Sequence, residues 1–303
     1  MNTNFYSILI KNNGDIIHNI FATSHKDLIN KYITIEDETN KTYFRAMFSP
    51  KDGYRLDDVE NYSIIINECY IPEWFSSEFA LDINEKLKSI ITSMIVKNHK
   101  QLLLHEGAIL SGNAIVDEVK YSIVFAMYDN SKIKILNNGS EICLMTDESS
   151  VDETYDNTKI EEMLSYSKVR QMYNYSKIKK MYGQSKVGIM NDNSHISTLK
   201  GDANILEMRD MSQTDRLKHM SKVDEMRGHS VIEEMWDWTI VEKMFDYSRI
   251  LYMDEESKVL EMYNDSIIDD MCGNTIVEKL YENSLVRKLH DKAQILQKEL
   301  ENN

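Results

Sequence analysis

From Ser122 to Ala293 every ninth residue is Ser, Thr or Ala, twenty positions without exception. Two residues after each stands a β-branched residue, from Val124 and Ile133 to Val286 and Ile295, with Thr214 the one polar member. Three residues further stands Met or Leu, from Met127 to Leu289, and only Thr154 and Lys298 break that column. Turn formers follow, as in Tyr128-Asp129-Asn130 and Tyr182-Gly183-Gln184. Within the nine-residue unit the small residue is repeat position 1, the β-branched residue position 3 and the Met or Leu position 6.

A period this short and this regular points to a solenoid. Positions 1 and 3 are two apart, so they share one face of a short strand. Val and Ile at every copy favour strand over helix. A helix would turn about two and a half times per unit and swing its apolar face half a turn each time. Asp, Asn and Gly after the Met tolerate the positive φ of a tight corner. The expected fold is mainly β: a β-solenoid of about twenty nine-residue repeats, with the small, β-branched and Met columns facing inward. Small side chains let the walls approach, and unbranched Met fills irregular gaps. Two units per coil give ten coils, roughly 48 Å at about 4.8 Å per layer. Three per coil would give a triangular rod about two thirds as long. Two is the preferred arrangement.

The chain before the array reads as a small α+β domain over residues 1–104. Phe5–Ile10 alternates like a strand, Asn12-Asn13-Gly14 is a turn, and Asp15–Phe21 can return as a hairpin. Ser24 can cap a short helix through Leu28 and Tyr32. Thr42–Phe48 and Tyr62–Ile66 read as strands around the turn Pro50-Lys51-Asp52-Gly53. Leu81, Ile83, Leu87, Ile90, Ile91, Met94 and Ile95 have helical spacing, which predicts an amphipathic helix over about 78–97. Residues 105–290 are assigned to the solenoid. Ala114, Val116 and Val119 already match the unit, one residue out of phase with Ser122. Solenoid ends need protection because open strand edges invite aggregation. The N-terminal domain is expected at one end. At the other, Leu285, Leu289, Leu296 and Leu300 predict a short capping helix over 291–303, with Lys298 marking the exit from the pattern.

No P-loop, G-x-S-x-G or H-E-x-x-H motif is present, so no catalytic residue is assigned and no enzyme is expected. Calcium β-rolls also use nonapeptides, but they need a G-G-x-G-x-D pattern that these turns never assemble. Neither a metal nor a cofactor is expected. Cys69, Cys143 and Cys272 lack metal or redox spacing. Met1-Asn2-Thr3-Asn4 is not followed by a signal-peptide core, and no apolar run of about 20 residues would span a membrane. A reducing cytoplasm is the expected compartment. The net charge of −15 is uneven. Residues 165–230 hold twelve Lys and Arg against seven Asp and Glu, and residues 231–303 hold eight against seventeen. A mildly basic middle flanked by acidic ends suits an anionic partner at the middle or a basic partner at the ends; it equally suits solubility alone.

With two units per coil, residues 18 apart stack on one edge. One edge then carries Tyr155, Tyr173, Asn191, Arg209, Arg227, Phe245, Tyr263 and Tyr281, and the other Tyr182, Lys200, Lys218 and Trp236. Lys159, Lys168, Lys177 and Lys186 occupy repeat position 2, split over two faces. Aromatics interleaved with cations suit flat or anionic ligands, nucleic acid included, although stacked like side chains also simply decorate solenoid edges. Trp236 and Trp238 flank a corner and are the best anchors for a protein partner. The candidate partner-binding surface is therefore Trp236, Trp238, Tyr173, Arg209, Arg227, Phe245, Tyr263, Lys168, Lys177 and Lys186.

Units such as Ser167-Lys168-Val169-Arg170-Gln171-Met172-Tyr173 and Ser257-Lys258-Val259-Leu260-Glu261-Met262-Tyr263 resemble nonapeptide-repeat proteins of the S-x-V-x-x-M-Y-G/D-N/S type. Those proteins are found among gut bacteria, their phages and mobile elements. The stretch Phe44-Arg45-Ala46-Met47-Phe48, Asp52-Gly53 and Pro72-Glu73-Trp74-Phe75 is similar to the leader before such arrays. The resemblance covers most of the chain and is specific for architecture, but it brings no catalytic motif. It implies a phage or mobile-element accessory protein. The expected function is non-enzymatic binding of a host protein, with inhibition of a defence protein as its concrete form. Two alternatives stand beside it: nucleic-acid binding or acidic DNA mimicry by the solenoid, and a structural role as a homo-oligomer or end-to-end fibre.

Overall fold

The computed structural model describes residues 7–19, 24–66, 71–104 and 107–299. The chain divides into two compact units, residues 1–96 with 106–109 and residues 97–105 with 110–303. The first unit is α+β. Strand β1 (Ser7–Lys11) pairs antiparallel with β2 (Ile16–Ile17) and β3 (Tyr43–Pro50), and β3 with β4 (Tyr62–Ile65). Helix α1 (His25–Tyr32) starts as expected at Ser24, whose hydroxyl accepts the Asp27 N–H. A further helix, α2 (Ile35–Asn40), starts at a reciprocal Thr34–Asp37 capping box and ends at Lys41 with φ of 49°. That Thr-x-x-Asp pair was the sequence signal for it. Helix α3 (Ser77–Met94) buries Ile83, Leu87 and Ile91, while Leu81 is exposed. Phe44, Trp74, Phe75 and Phe79 form a ring cluster with centroids 4.6–5.8 Å apart between neighbours. Phe5, Phe21 and Cys69 lie outside the described residues.

The second unit is a β-solenoid of about 11 turns, with two strands per turn. Two 12-stranded parallel sheets face each other, each joining every second strand. Residues 18 apart pair in register, as in Ile133↔Val151, Val169↔Val187 and Met172↔Met190. Two nonapeptides therefore close one coil. The first coils come earlier than the expected start at 105. Strands β5 (Ile95–Lys97), β6 (Lys100–Leu104), β7 (Ala108–Ser111) and β8 (Ile115–Lys120) already belong to the two sheets. β-Branched Ile95 and Val96 leave the helix, and Asn98 turns the corner with φ of 55°. This coil lacks the nine-residue columns, so the boundary at 104 falls one coil late. Val116 pairs with Ile133, 17 residues on, which accounts for the one-residue phase shift.

The inner columns are buried as their chemistry requires. From Val124 to Val277 every position-3 side chain is at most 1% exposed, Thr214 included. Position 6 lies three residues further, yet it also faces inward. The strand changes face between them: pairing skips position 4, as in the register Lys132↔Ser150, Ile133↔Val151, Ile135↔Glu153. Positions 4 and 5 consequently both face out. Most position-1 hydroxyls are buried without a partner. Ser140 shows what is available to them, since its Oγ donates to the corner carbonyl of Asn137 at 2.7 Å. Ala203 holds the same column at 0% exposure, so the column selects for size rather than for a hydroxyl.

Position 8 has positive φ at all nineteen corners from Asp129 to Asp291. Asp and Asn dominate there because they tolerate the left-handed region. The carboxylate has a second task. Asp192 accepts the N–H of Asn174, one coil earlier, at 3.0 Å, and the Asp192 N–H donates to Asp210 at 3.1 Å. The same bond recurs at Asp129, His219, Asp237 and Asn264, whereas the Glu255 N–H turns to Asp254 because the next corner on its edge is Gly273. Gly228 supplies the left-handed conformation without a side chain, and a Cβ there would lie 2.9 Å from the Asp210 nitrogen; its N–H is capped by Asp246 at 3.0 Å.

In place of the expected C-terminal capping helix, the described residues form strands, and Leu300 lies outside the described residues. Leu285–Leu289 and Gln294–Glu299 are the last strands of the two sheets. The helical spacing of Leu285 and Leu289 is that of positions 2 and 6, the two ends of a kinked strand. Leu285, Leu289 and Leu296 are 46%, 47% and 60% exposed. Lys298 occupies the Met column in register with Leu280.

Candidate functional site

The outer columns are carried by the faces (positions 2, 4 and 5) and by the corners (positions 7 to 9). One edge brings together Tyr173, Arg209, Arg227, Phe245 and Tyr263, as the 18-residue spacing predicts. Tyr155 and Tyr173 stack at 4.9 Å, Phe245 and Tyr263 at 5.0 Å, and Tyr263 and Tyr281 at 4.7 Å, all within 8° of parallel. The Arg227 guanidinium lies 4.3 Å above the Phe245 ring. The ring faces are therefore largely occupied by one another. Polar tips turn back to position 5 of the same unit: Tyr173 Oη donates to Gln171 at 2.8 Å, Arg209 to Glu207 at 2.6 Å and Arg227 to Glu225 at 2.7 Å. Burial, then the hydrogen bond to Glu261, pushes the Tyr263 phenol up to about 12. For Tyr155 the Glu153 hydrogen bond is the larger cause, again to about 12.

The lysines fall on the two faces. Lys168 and Lys186 are direct register partners in one sheet, and Lys177 pairs with Lys159 and His195 in the other. Their neighbours Lys179 and Lys180 reach Glu161 and Glu162 at 2.9 and 3.0 Å. Lys168, Lys177 and Lys186 are exposed, and among the described residues they form no ion pair. Like charges directly opposite destabilise a sheet, so these rungs are held by the core beneath them.

Trp236 and Trp238 flank one corner but differ in state. Trp236 is half-buried, its indole N–H donating to Glu234 at 3.0 Å, with Tyr252 at 5.4 Å and the Lys218 ammonium at 6.0 Å from its ring. Trp238 is 62% exposed. The corner between them links three coils. His219 Nδ1 and the Asp237 carboxylate are 2.7 Å apart, and the Asp237 N–H donates to Glu255 at 3.1 Å. His219 holds the Asp237 carboxyl down to about 2, while contact with Asp237 pushes Glu255 up.

Of repeat position 9, the surface expected from the sequence includes Trp238 alone. That position carries most of the array's exposed large apolar side chains: Tyr166, Tyr175, Met211, Met220, Trp238 and Tyr247. Large apolar residues in an otherwise polar corner column were the available signal. The other histidines of the repeat array have structural partners, with His195 at 2.5 Å from Asp215, His290 at 3.0 Å from Asp270 and His229 stacked on Tyr247 at 5.1 Å. Among the described residues no group of three or more His, Cys, Asp and Glu is placed to hold a metal ion. No described helix is long and apolar enough to cross a membrane. No family profile, curated protein or solved structure matches the chain.

Proposed function

We propose that the chain is a non-enzymatic scaffold whose β-solenoid presents its outer columns to a protein partner. The observation that carries this reading is the set of exposed aromatic and Met side chains at repeat position 9, on corners the fold itself leaves free to be polar. Scattered surface apolar residues are ordinary, but these recur at one repeat position, three on each edge, with Met220 and Trp238 on adjacent coils of one edge. In the form implied by the resemblance, the partner is a host protein and the scaffold is a phage or mobile-element accessory that blocks a defence component. The test is capture from host lysate on the immobilised chain. A control keeps positions 1, 3, 6 and 8 and replaces the exposed position-9 residues by Asn. A stoichiometric partner held by the wild type and lost by the control is the expected result. No such partner, or equal retention by the control, removes the reading.

A second reading has its own observation. Among the described residues, exposed Lys168 and Lys186 on one face and Lys177 on the other form no ion pair, and this supports contact with a nucleic-acid backbone. Direct binding would weaken steeply with salt in a gel-shift series. An acidic mimic of DNA would bind no DNA at any salt concentration.

A further inference from the structure

The corner at Trp238 joins an apolar anchor to uncompensated negative charge. Trp238 and Met220 hold position 9 on adjacent coils, just ahead of the register pair Lys222↔Ile240, and are 62% and 60% exposed. The same corner on the next coil is Asp254-Glu255-Glu256. Asp254 accepts the Tyr252 hydroxyl at 2.7 Å and Glu255 accepts the Asp237 N–H at 3.1 Å, but among the described residues no Lys, Arg or His pairs with any of these three. Many face carboxylates do have such partners: Glu153 has Arg170, Glu162 has Lys180 and Asp269 has Arg249. Asp237 and Glu255 also face each other on neighbouring coils, where a side-chain hydrogen bond between them, then burial, then like-charge repulsion push the Glu255 carboxyl up. A cation arriving there would relieve that repulsion as well as make a new contact.

We propose that this corner docks a cationic segment of a partner protein, an Arg or Lys facing Glu255 and Glu256 and an adjacent apolar residue resting on Trp238 and Met220. The proposal rests on the scaffold reading and deepens it. Charge complementarity selects the occupant: residues 231–303 carry seventeen Asp and Glu against eight Lys and Arg, which repels nucleic acid and acidic proteins. Lys218 and His219 lie on the preceding coil, so the cation is directed to the side of residues 254–256. Interfaces draw most of their energy from a few Trp, Tyr and Arg anchors, and an acidic surround speeds encounter with a basic partner.

The probe is a fluorescein-labelled peptide of alternating Arg and Leu, titrated onto the full chain. Same-length Glu–Leu and Arg–Gly peptides serve as comparisons. The Arg–Leu peptide is expected to bind more tightly than either, with affinity falling as salt rises. Trp238→Ala and the double variant Glu255→Gln with Glu256→Gln are each expected to weaken it at least tenfold. Gln at 255 keeps an oxygen for the Asp237 N–H, and unchanged circular dichroism confirms folding. Trp236→Phe is expected to bind like wild type. No binding by the wild type, equal binding of the Glu–Leu peptide, or unchanged affinity in both corner variants overturns the proposal. A lysate partner retained equally by Trp238→Ala also overturns it and leaves the scaffold reading standing.

Discussion

Met172 and Met211 test the register of the whole array, because they are the same residue in opposite environments. Met172 holds repeat position 6, is 0% exposed and lies in register between Thr154 and Met190. Met211 holds position 9 and is 64% exposed. Truncating a fully buried Met to Ala removes its transfer free energy and leaves a cavity, together about 2–5 kcal/mol. The same change at Met211 removes almost no buried surface and is expected to stay within about 0.5 kcal/mol. The assay is urea unfolding followed by far-ultraviolet circular dichroism on wild type, Met172→Ala and Met211→Ala. Stacked coils are coupled chiefly to their neighbours, so Met172→Ala should also broaden the transition by uncoupling the two halves of the array. Equal losses at the two positions, or a larger loss at Met211, would refute the assignment of inward and outward columns. A one-residue slip exchanges the faces of a strand, and that is the error this pair would reveal.

Lys298→Leu restores the Met/Leu column at the last described coil while removing a charge from that column, of the kind that blocks edge-to-edge pairing; concentration-dependent association beyond that of wild type should appear in sedimentation velocity, and a profile unchanged from wild type would count against a protective role. Ser185→Ala should change stability by less than about 1 kcal/mol, because the buried hydroxyl has no partner and a net hydrogen bond is worth only about that much. Ser185→Val should cost about 1–3 kcal/mol by overpacking, both read from urea midpoints. Hydrogen bonds from Thr42 and then Lys11 and Thr34 hold the Asp37 carboxyl well below the usual range. A depressed carboxyl stabilises the fold above its unfolded value of about 3.9, and that contribution is lost as pH falls through the folded value. Thermal melts between pH 6 and pH 2 should therefore show a steeper acid loss in wild type than in Asp37→Asn. Burial, then the Glu141 carboxylate, pushes the half-exposed Cys143 thiol up to about 12, so iodoacetamide at pH 8 should alkylate it more slowly in the native protein than after unfolding; equal rates would contradict that shift.

The inner architecture was legible because each column answers to a single physical demand. Position 1 must be small, position 3 must suit a pleated wall, and position 8 must accept positive φ. Those demands define the strand-and-corner unit; the preference for two units per coil over three, which sets the 18-residue ladders, agrees with the observed register. The kink at position 4 was not legible, since an outward residue there is free to be Lys, Asp, Leu or Gly. That kink also explains the mistaken terminal helix: it places apolar residues four apart on a strand, which mimics a helical stripe. The coil before residue 105 was hidden because its small and β-branched columns are missing. At the corners, the stacked partners followed from the spacing. The different fates of Trp236 and Trp238 depended on which side of the corner each leaves, which one sequence does not reveal.

The 18-residue register of the coils, which corner bonds such as that between Asn174 and Asp192 reinforce, sets the quantum of length change in this chain. Removing or adding 18 residues rejoins corners of the same edge and keeps every surface column downstream on its side. Removing nine leaves the inner columns intact but sends everything after the cut to the opposite face. Trp238 would then leave its own edge for the one that carries Tyr173, while the core beneath would register no difference. Folding is indifferent to the parity of the repeat count; recognition is not. Lineages of such arrays would therefore drift in steps of two units wherever a partner must be kept, and a single-unit step would turn the molecule's interactive side without changing its stability.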